Sequence, residues 1–123
     1  MSLFQTRAMS TEKKKCIGTH DGYFHADEVT AIAMLHLTKE WHGSEVLRTR
    51  DEKVLSGLPL IVDVGGVYDP KKHRYDHHQK SFLTTFSKEH KIKLSSAGLI
   101  YKHFGKEIIG GLYMQLSEAE VDF

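Results

Sequence analysis

The sequence predicts an α/β domain: a mainly parallel sheet flanked by helices. Three observations point there. "LPLIVDVGG", residues 58–66, is a continuous β-branched run closed by two glycines, the pattern of a strand buried on both faces. Short apolar runs alternate along the chain with longer segments of helical spacing. With 123 residues, the chain is long enough for one core and too short for two.

Taken in order, residues 1–13 read as an unstructured tail or an expression scar. Residues 14–123 read as the domain. Cys16 and Ile17 begin a strand that runs into the turn "GTHDG". "ADEVTAIAMLHLTKEW", residues 26–41, is apolar almost all round and predicts a buried helix. Asp27 and Glu28 stand in its first turn, where the helix dipole favours anions. "EVLRTRD" alternates as a strand, the 58–66 run follows, "VYDPKKH" is a turn, and "RYDHH" is a short strand or its end. "SSAGLIYKHFGKEII" places Leu99, Ile100, His103, Phe104 and Ile108 at helical spacing, with Ser95 or Ser96 as N-cap. Ser117 and Glu120 have capping-box spacing, so a further helix is expected to start there.

Composition narrows the function. A formal net charge of +1 gives no global field for nucleic acid or membrane. The basic runs Lys13–Lys15, Lys71–Lys72 with Arg74, and Lys88–Lys93 read first as solvated faces. No apolar run approaches the ~20 residues of a membrane span. A single cysteine excludes an internal disulfide and fits a reducing, intracellular compartment.

Chemistry concentrates in three segments. "THDGYFHADE" supplies His20, His25 and Asp27 after the first strand. "VDVGG" supplies Asp63 near the end of the buried strand. "DHH" supplies Asp76, His77 and His78 at the next strand's end. Ligands of open α/β sheets bind outside the carboxyl ends of strands, so all three clusters are expected at one rim. Asp27, Asp63 and Asp76 would repel there unless a cation offset them. Imidazole and carboxylate donors without thiolate suit manganese, and also cobalt, zinc or iron. Two ions about 3.5–4 Å apart need a bridging carboxylate, for which Asp63 is placed. In extended chain His25 and Asp27 face one way, whereas neighbours His77 and His78 face opposite ways. Asp76 is then free to accept from an imidazole and fix its tautomer. His36, His42, His90 and His103 read as packed or surface histidines.

"GTHDGYFHADE", "IVDVGGVYDPKKHRYDHHQKSF" and "SSAGLIYKHFGKEII" together resemble the melanocyte-proliferating-gene exonuclease family, over about residues 16–110. Its members resemble the DHH phosphoesterases, among them RecJ-like nucleases and manganese-dependent pyrophosphatases. The resemblance implies one ion on His20, His25 and Asp63, and a second on Asp27, Asp63 and His77. It implies that His78 contacts the phosphoryl group and that Asp76 supports it, these two forming the catalytic pair. His25 stands where the superfamily usually has Asp. Nothing in residues 111–123 matches the family's fourth, Asp-bearing motif. The chain therefore resembles the first part of a longer protein without its C-terminal substrate domain. Little or no activity is expected without the fourth-motif ligand.

These readings imply a metal-dependent phosphodiester hydrolase, trimming RNA or single-stranded nucleic acid from the 3′ end with two ions, Mn2+ first among them. The compartments implied are nucleus, mitochondrion or cytoplasm. The rivals are a small-molecule phosphatase or pyrophosphatase and a non-catalytic metal-binding module. The absence of "HExxH" removes one support for peptide hydrolysis. Tyr23 and Phe24 are the nearest candidates for base stacking, and Lys71, Lys72 and Arg74 for phosphate contact.

Overall fold

A computed structural model describes residues 15–119. The expected tail, residues 1–13, lies outside the described residues. Five strands form one sheet in the order β2-β1-β3-β5-β4. β1 (Cys16–Thr19), β2 (Glu45–Arg48), β3 (Leu60–Val62) and β5 (Arg74–Tyr75) run parallel, and β4 (Tyr68–Asp69) pairs antiparallel with β5 at one edge. The expected α/β architecture with a mainly parallel sheet is therefore observed.

Both faces of β3 are covered, as its unbroken apolar run requires. Leu60, Ile61 and Val62 are all buried. Leu60 and Val62 join Ile17 and Tyr75 in a core with Ala31, Ile32 and Leu35 of α1 (Ala26–Leu35) and Leu99 and Ile100 of α3 (Ser96–Ala119). Across the sheet, α2 (Glu52–Leu55) supplies buried Leu55. Gly18 allows that approach, because a Cβ there would lie 3.1 Å from Leu55 Cδ2 and 2.6 Å from Leu58 Cδ1.

Four expectations need correction. The helix expected over 26–41 stops at Leu35 and is buried along one face only, through Glu28, Ala31, Ile32 and Leu35. The Thr38 hydroxyl donates to the Leu35 carbonyl at 2.7 Å and accepts from Trp41 N–H at 3.1 Å, which closes the helix end with side-chain bonds. The segment read as the turn "VYDPKKH" contains β4 and a 3-10 helix, Pro70–Lys72, which opens on the Asp69 cap. α2 was not expected; Asp51 caps it by accepting from Lys53 N–H at 3.0 Å. No helix starts at Ser117, because α3 runs unbroken from Ser96 to Ala119; Glu120 lies outside the described residues. Ser95 caps α3, its hydroxyl accepting from Gly98 N–H at 3.1 Å.

Leu60 sits at the centre of the core with no exposed surface. Leu60→Ala is expected to cost about 2–5 kcal/mol, read as a lower urea midpoint at unchanged slope. A loss below about 0.5 kcal/mol would contradict this packing.

Candidate metal centre

Parallel strands end on the same side, so the residues that leave β1, β3 and β5 share one rim. The chain passes from β1 to β2 on one side and then to β3 on the other, which opens a crevice at the β1/β3 switch point. His20 follows β1, Asp63 follows β3, and Asp76–His78 follow β5. His25 and Asp27 come from the start of α1. His20, His25, Asp27, Asp63, Asp76, His77 and His78 all line one cleft of about 420 Å³. The residues singled out in the sequence are thus brought together.

Asp63 is the hub. Its backbone is left-handed, φ 60°, a conformation that Asp tolerates better than most residues. Its N–H donates to the Tyr75 carbonyl at 3.0 Å, and the residue is 5% exposed. Oδ2 lies 3.5 Å from His20 Nε2, and Oδ1 lies 3.7 Å from His78 Nδ1 and 3.9 Å from His77 Nδ1. The Ser96 hydroxyl donates to Oδ1 at 3.4 Å. Burial raises the Asp63 carboxyl above its ordinary range; Asp27 and then Asp76 add to this, against the pull of His78 and His20.

Asp76 is buried and fully engaged. Gly66 N–H donates to Oδ2 at 2.7 Å, and His78 Nδ1 meets Oδ1 at 2.6 Å. An N–H on His78 Nδ1, donated to Asp76, leaves Nε2 as the free ring nitrogen. Asp76 thereby fixes the orientation of the His78 ring. The expectation that His77 and His78 face opposite ways fails. Their ring centroids are 4.2 Å apart, because Gln79 N–H folds back to the His77 carbonyl at 2.8 Å and the strand has already ended. Asp63, Asp76, His77 and His78 each present a donor atom within 4.8 Å of the others.

The first motif divides between two partners. His25 is the extended N-cap of α1 and Asp27 is already helical, so they do not share a direction as an extended segment would require. His25 packs near His20, with ring centroids 5.2 Å apart, and groups with His20 and Glu28. Asp27 Oδ2 lies 3.8 Å from His77 Nδ1. The Asp27 carboxylate also accepts from Ala97 N–H at 2.7 Å and Ser96 N–H at 3.3 Å, which ties α1 to the positive end of α3.

Three further site residues were not picked out from the sequence. Glu28 is fully buried, accepts from His25 N–H at 2.9 Å and pairs with Arg48 at 3.2 Å. Ser96, buried, links His77 Nδ1 at 3.0 Å with Asp63. Arg50 lines the cleft and donates to Asp21 Oδ1 at 2.9 Å. For Glu28 the helical period was the available signal; for Ser96 and Arg50 no local pattern exists. Lys71, Lys72 and Arg74 stand away from the cleft. They precede or begin β5, and Arg74 donates to the Leu58 carbonyl at 3.0 Å, ahead of β3. Of the basic runs, the one holding Lys93 comes near, lining a groove that shares His77 with the cleft.

Divalent-cation chemistry fits these residues. Among the described residues His20 Nε2 is buried without a hydrogen-bond partner, yet lies 3.1 Å from Glu28 Oε1 and 3.5 Å from Asp63 Oδ2. His20 Nδ1 sits 3.0 Å from the Asp21 carbonyl, which suits an N–H there and a bare Nε2 lone pair. A buried lone pair facing carboxylates is the arrangement that a cation completes.

The raised Asp63 carboxyl fixes a sign. A carboxyl raised above its ordinary 3.8 supports the metal-free fold fully below that pH, and the support is lost as pH rises through the raised value. In chelator at pH 7, Asp63→Asn should therefore melt higher than the unsubstituted protein. Mn2+ should raise the melting temperature of the unsubstituted protein and leave the variant's unchanged. Equal or lower melting of the variant in chelator contradicts a cost of ionising Asp63 that arises from burial first and from its acidic neighbours second.

A family model named MYG1_exonuc and described as "Uncharacterised protein family (UPF0160)" matches residues 16–123. The chain is 52% identical over 101 residues to MYG1 exonuclease of Homo sapiens, covering 78% of the chain and 27% of that protein. It is 50% identical over 106 residues to a MYG1 protein of Schizosaccharomyces pombe (86% and 32%) and 53% over 93 residues to one of Dictyostelium discoideum (76% and 28%). The chain thus spans about a quarter to a third of the length of these relatives. No solved structure matches it significantly. On the extent of the family match and this level of identity, the chain belongs to the MYG1 family.

Proposed function

We propose that this chain carries the metal-binding face of a phosphodiester hydrolase, a 3′-to-5′ exonuclease acting on RNA or single-stranded DNA. One observation carries the reading: acidic and imidazole side chains from the ends of three adjacent parallel strands line a single cleft. The name exonuclease borne by the human relative supports it. A DHH-phosphoesterase-type domain is part of the same proposal, as is the pairing of two divalent ions, Mn2+ first.

In this reading His20, His25 and Asp63 would hold one ion, and Asp27, Asp63 and His77 would hold the other. When bound, such ions supply Lewis-acid charge at phosphoryl oxygens and draw the pKa of water from about 15.7 toward 7. The chain's own residues do the rest. Asp76, held by Gly66 N–H, fixes the His78 ring. His78 then offers Nε2, when protonated, as a donor to a non-bridging phosphoryl oxygen, an interaction that strengthens as charge develops there. Ser96 holds His77 beside Asp63. Asp27, engaged with the α3 N-terminus, would also be a ligand of an ion there.

The test uses full-length protein with Mn2+, a short 5′-labelled RNA and pyrophosphate. Mononucleotides should leave the 3′ end while pyrophosphate stays intact. His78→Ala should lower kcat about 10²–10³-fold with Mn2+ binding kept, and Asp63→Ala should abolish both. Cleavage of pyrophosphate alone, or full turnover by His78→Ala, defeats the reading.

A further inference from the structure

Beside the cleft, the loop between β1 and α1 exposes two aromatic rings. Tyr23 is 88% exposed and Phe24 69% exposed. Neither belongs to the core, so packing does not account for them. Both lie within two residues of His25, which lines the cleft, so at about 3.8 Å per step their Cα atoms stand within about 8 Å of its Cα. One ring is already stacked on a guanidinium. The Arg48 guanidinium lies over the Phe24 ring at 4.0 Å. Arg48 is itself anchored, donating to Glu28 Oε2 at 3.2 Å and to the His20 carbonyl at 3.3 Å. Arg50, another cation, lines the same cleft.

Exposed aromatic surface of this kind costs solubility and is informative where it adjoins a site. Two exposed rings next in sequence to a cleft residue, one of them backed by a guanidinium, match one ligand feature: a nucleobase attached to a phosphodiester held in the cleft. Each ring offers a π-face to any base, and Arg48 holds the Phe24 ring from its other side. Pyrophosphate or a simple phosphate ester would use neither ring.

We infer that Tyr23 and Phe24, with Phe24 backed by Arg48, form a stacking subsite for the nucleobase next to the scissile phosphodiester. This inference rests on the phosphodiester reading of the cleft and names what makes the substrate a polynucleotide. Stacking is tolerant of base identity, so the subsite selects for the presence of a base and not for sequence.

The test is fluorescence anisotropy in MnCl2 with two labelled, cleavage-resistant phosphorothioate pentamers, one of adenine nucleotides and one abasic with the same backbone charge. The protein should bind the adenine pentamer at least about 10-fold tighter. Tyr23→Ala and Phe24→Ala should each weaken adenine-pentamer binding about 5- to 100-fold and leave abasic binding within about twofold, and Phe24→Trp should restore it. Circular dichroism checks that the variants fold, which their exposure favours. Equal affinity for the two pentamers, or equal loss on both in the variants, overturns the stacking subsite and leaves the phosphodiester reading standing. Binding of neither pentamer overturns both.

Discussion

Asp63 cannot leave the company of Asp27 and Asp76. β1, β3 and β5 lie side by side and parallel, so the residues that follow them must meet at one rim. β3 is fixed at the centre by burial on both faces, and Asp63 N–H is tied to the Tyr75 carbonyl. The left-handed backbone at Asp63 stops the strand and turns its side chain into the cleft. The hydrophobic sheet therefore buries an acid beside other acids, and the Asp63 carboxyl is raised first by that burial and then by Asp27 and Asp76. Neighbouring imidazoles relieve part of the cost of ionising it. A cation relieves more, because it places opposite charge where protein groups supply only dipoles and partial neutralisation.

The same cluster of acids shapes the parts around it. Asp27 reaches from α1 to the first N–H groups of α3, so the acid that borders the cleft also orients the long helix. Ser96 is the complementary element: its N–H serves Asp27 while its hydroxyl serves Asp63 and lies against His77. Movement of α3 would therefore be felt at the cleft, and rearrangement of Asp27 would be felt by the helix. Asp76 is arranged for rigidity, with Gly66, His78 and Gln79 all bonded to it. Buried Glu28, paired with half-buried Arg48, forms a second support: it lies against His20 Nε2 and accepts from His25 N–H.

Much of this site was legible because its residue types are unusual at their positions. An apolar β-branched run that ends in Asp, Val and two glycines announces both the central strand and an acid at its tip. Dense His and Asp after a neighbouring strand then gain meaning from the parallel-sheet rule. What stayed hidden depends on contacts between distant residues. Thr38 ends α1 six residues before the apolar pattern does, because its hydroxyl captures the Leu35 carbonyl. Ser96 lies 33 residues from Asp63 and looks like any helix-start serine. His77 and His78 share the cleft because the chain folds back after Tyr75, which pattern alone does not reveal. Lys71, Lys72 and Arg74 were placed by charge, and topology set them away from the cleft.

The central claim is that Asp63 joins His20 on one side and His77 on the other around divalent cations. Crystals grown with MnCl2 and measured at the manganese absorption edge test it most directly. Two anomalous peaks, both touching Asp63, with one beside His20 Nε2 and the other beside His77, are the predicted result. An empty cleft at saturating Mn2+, or peaks only at sites that exclude Asp63, would contradict it.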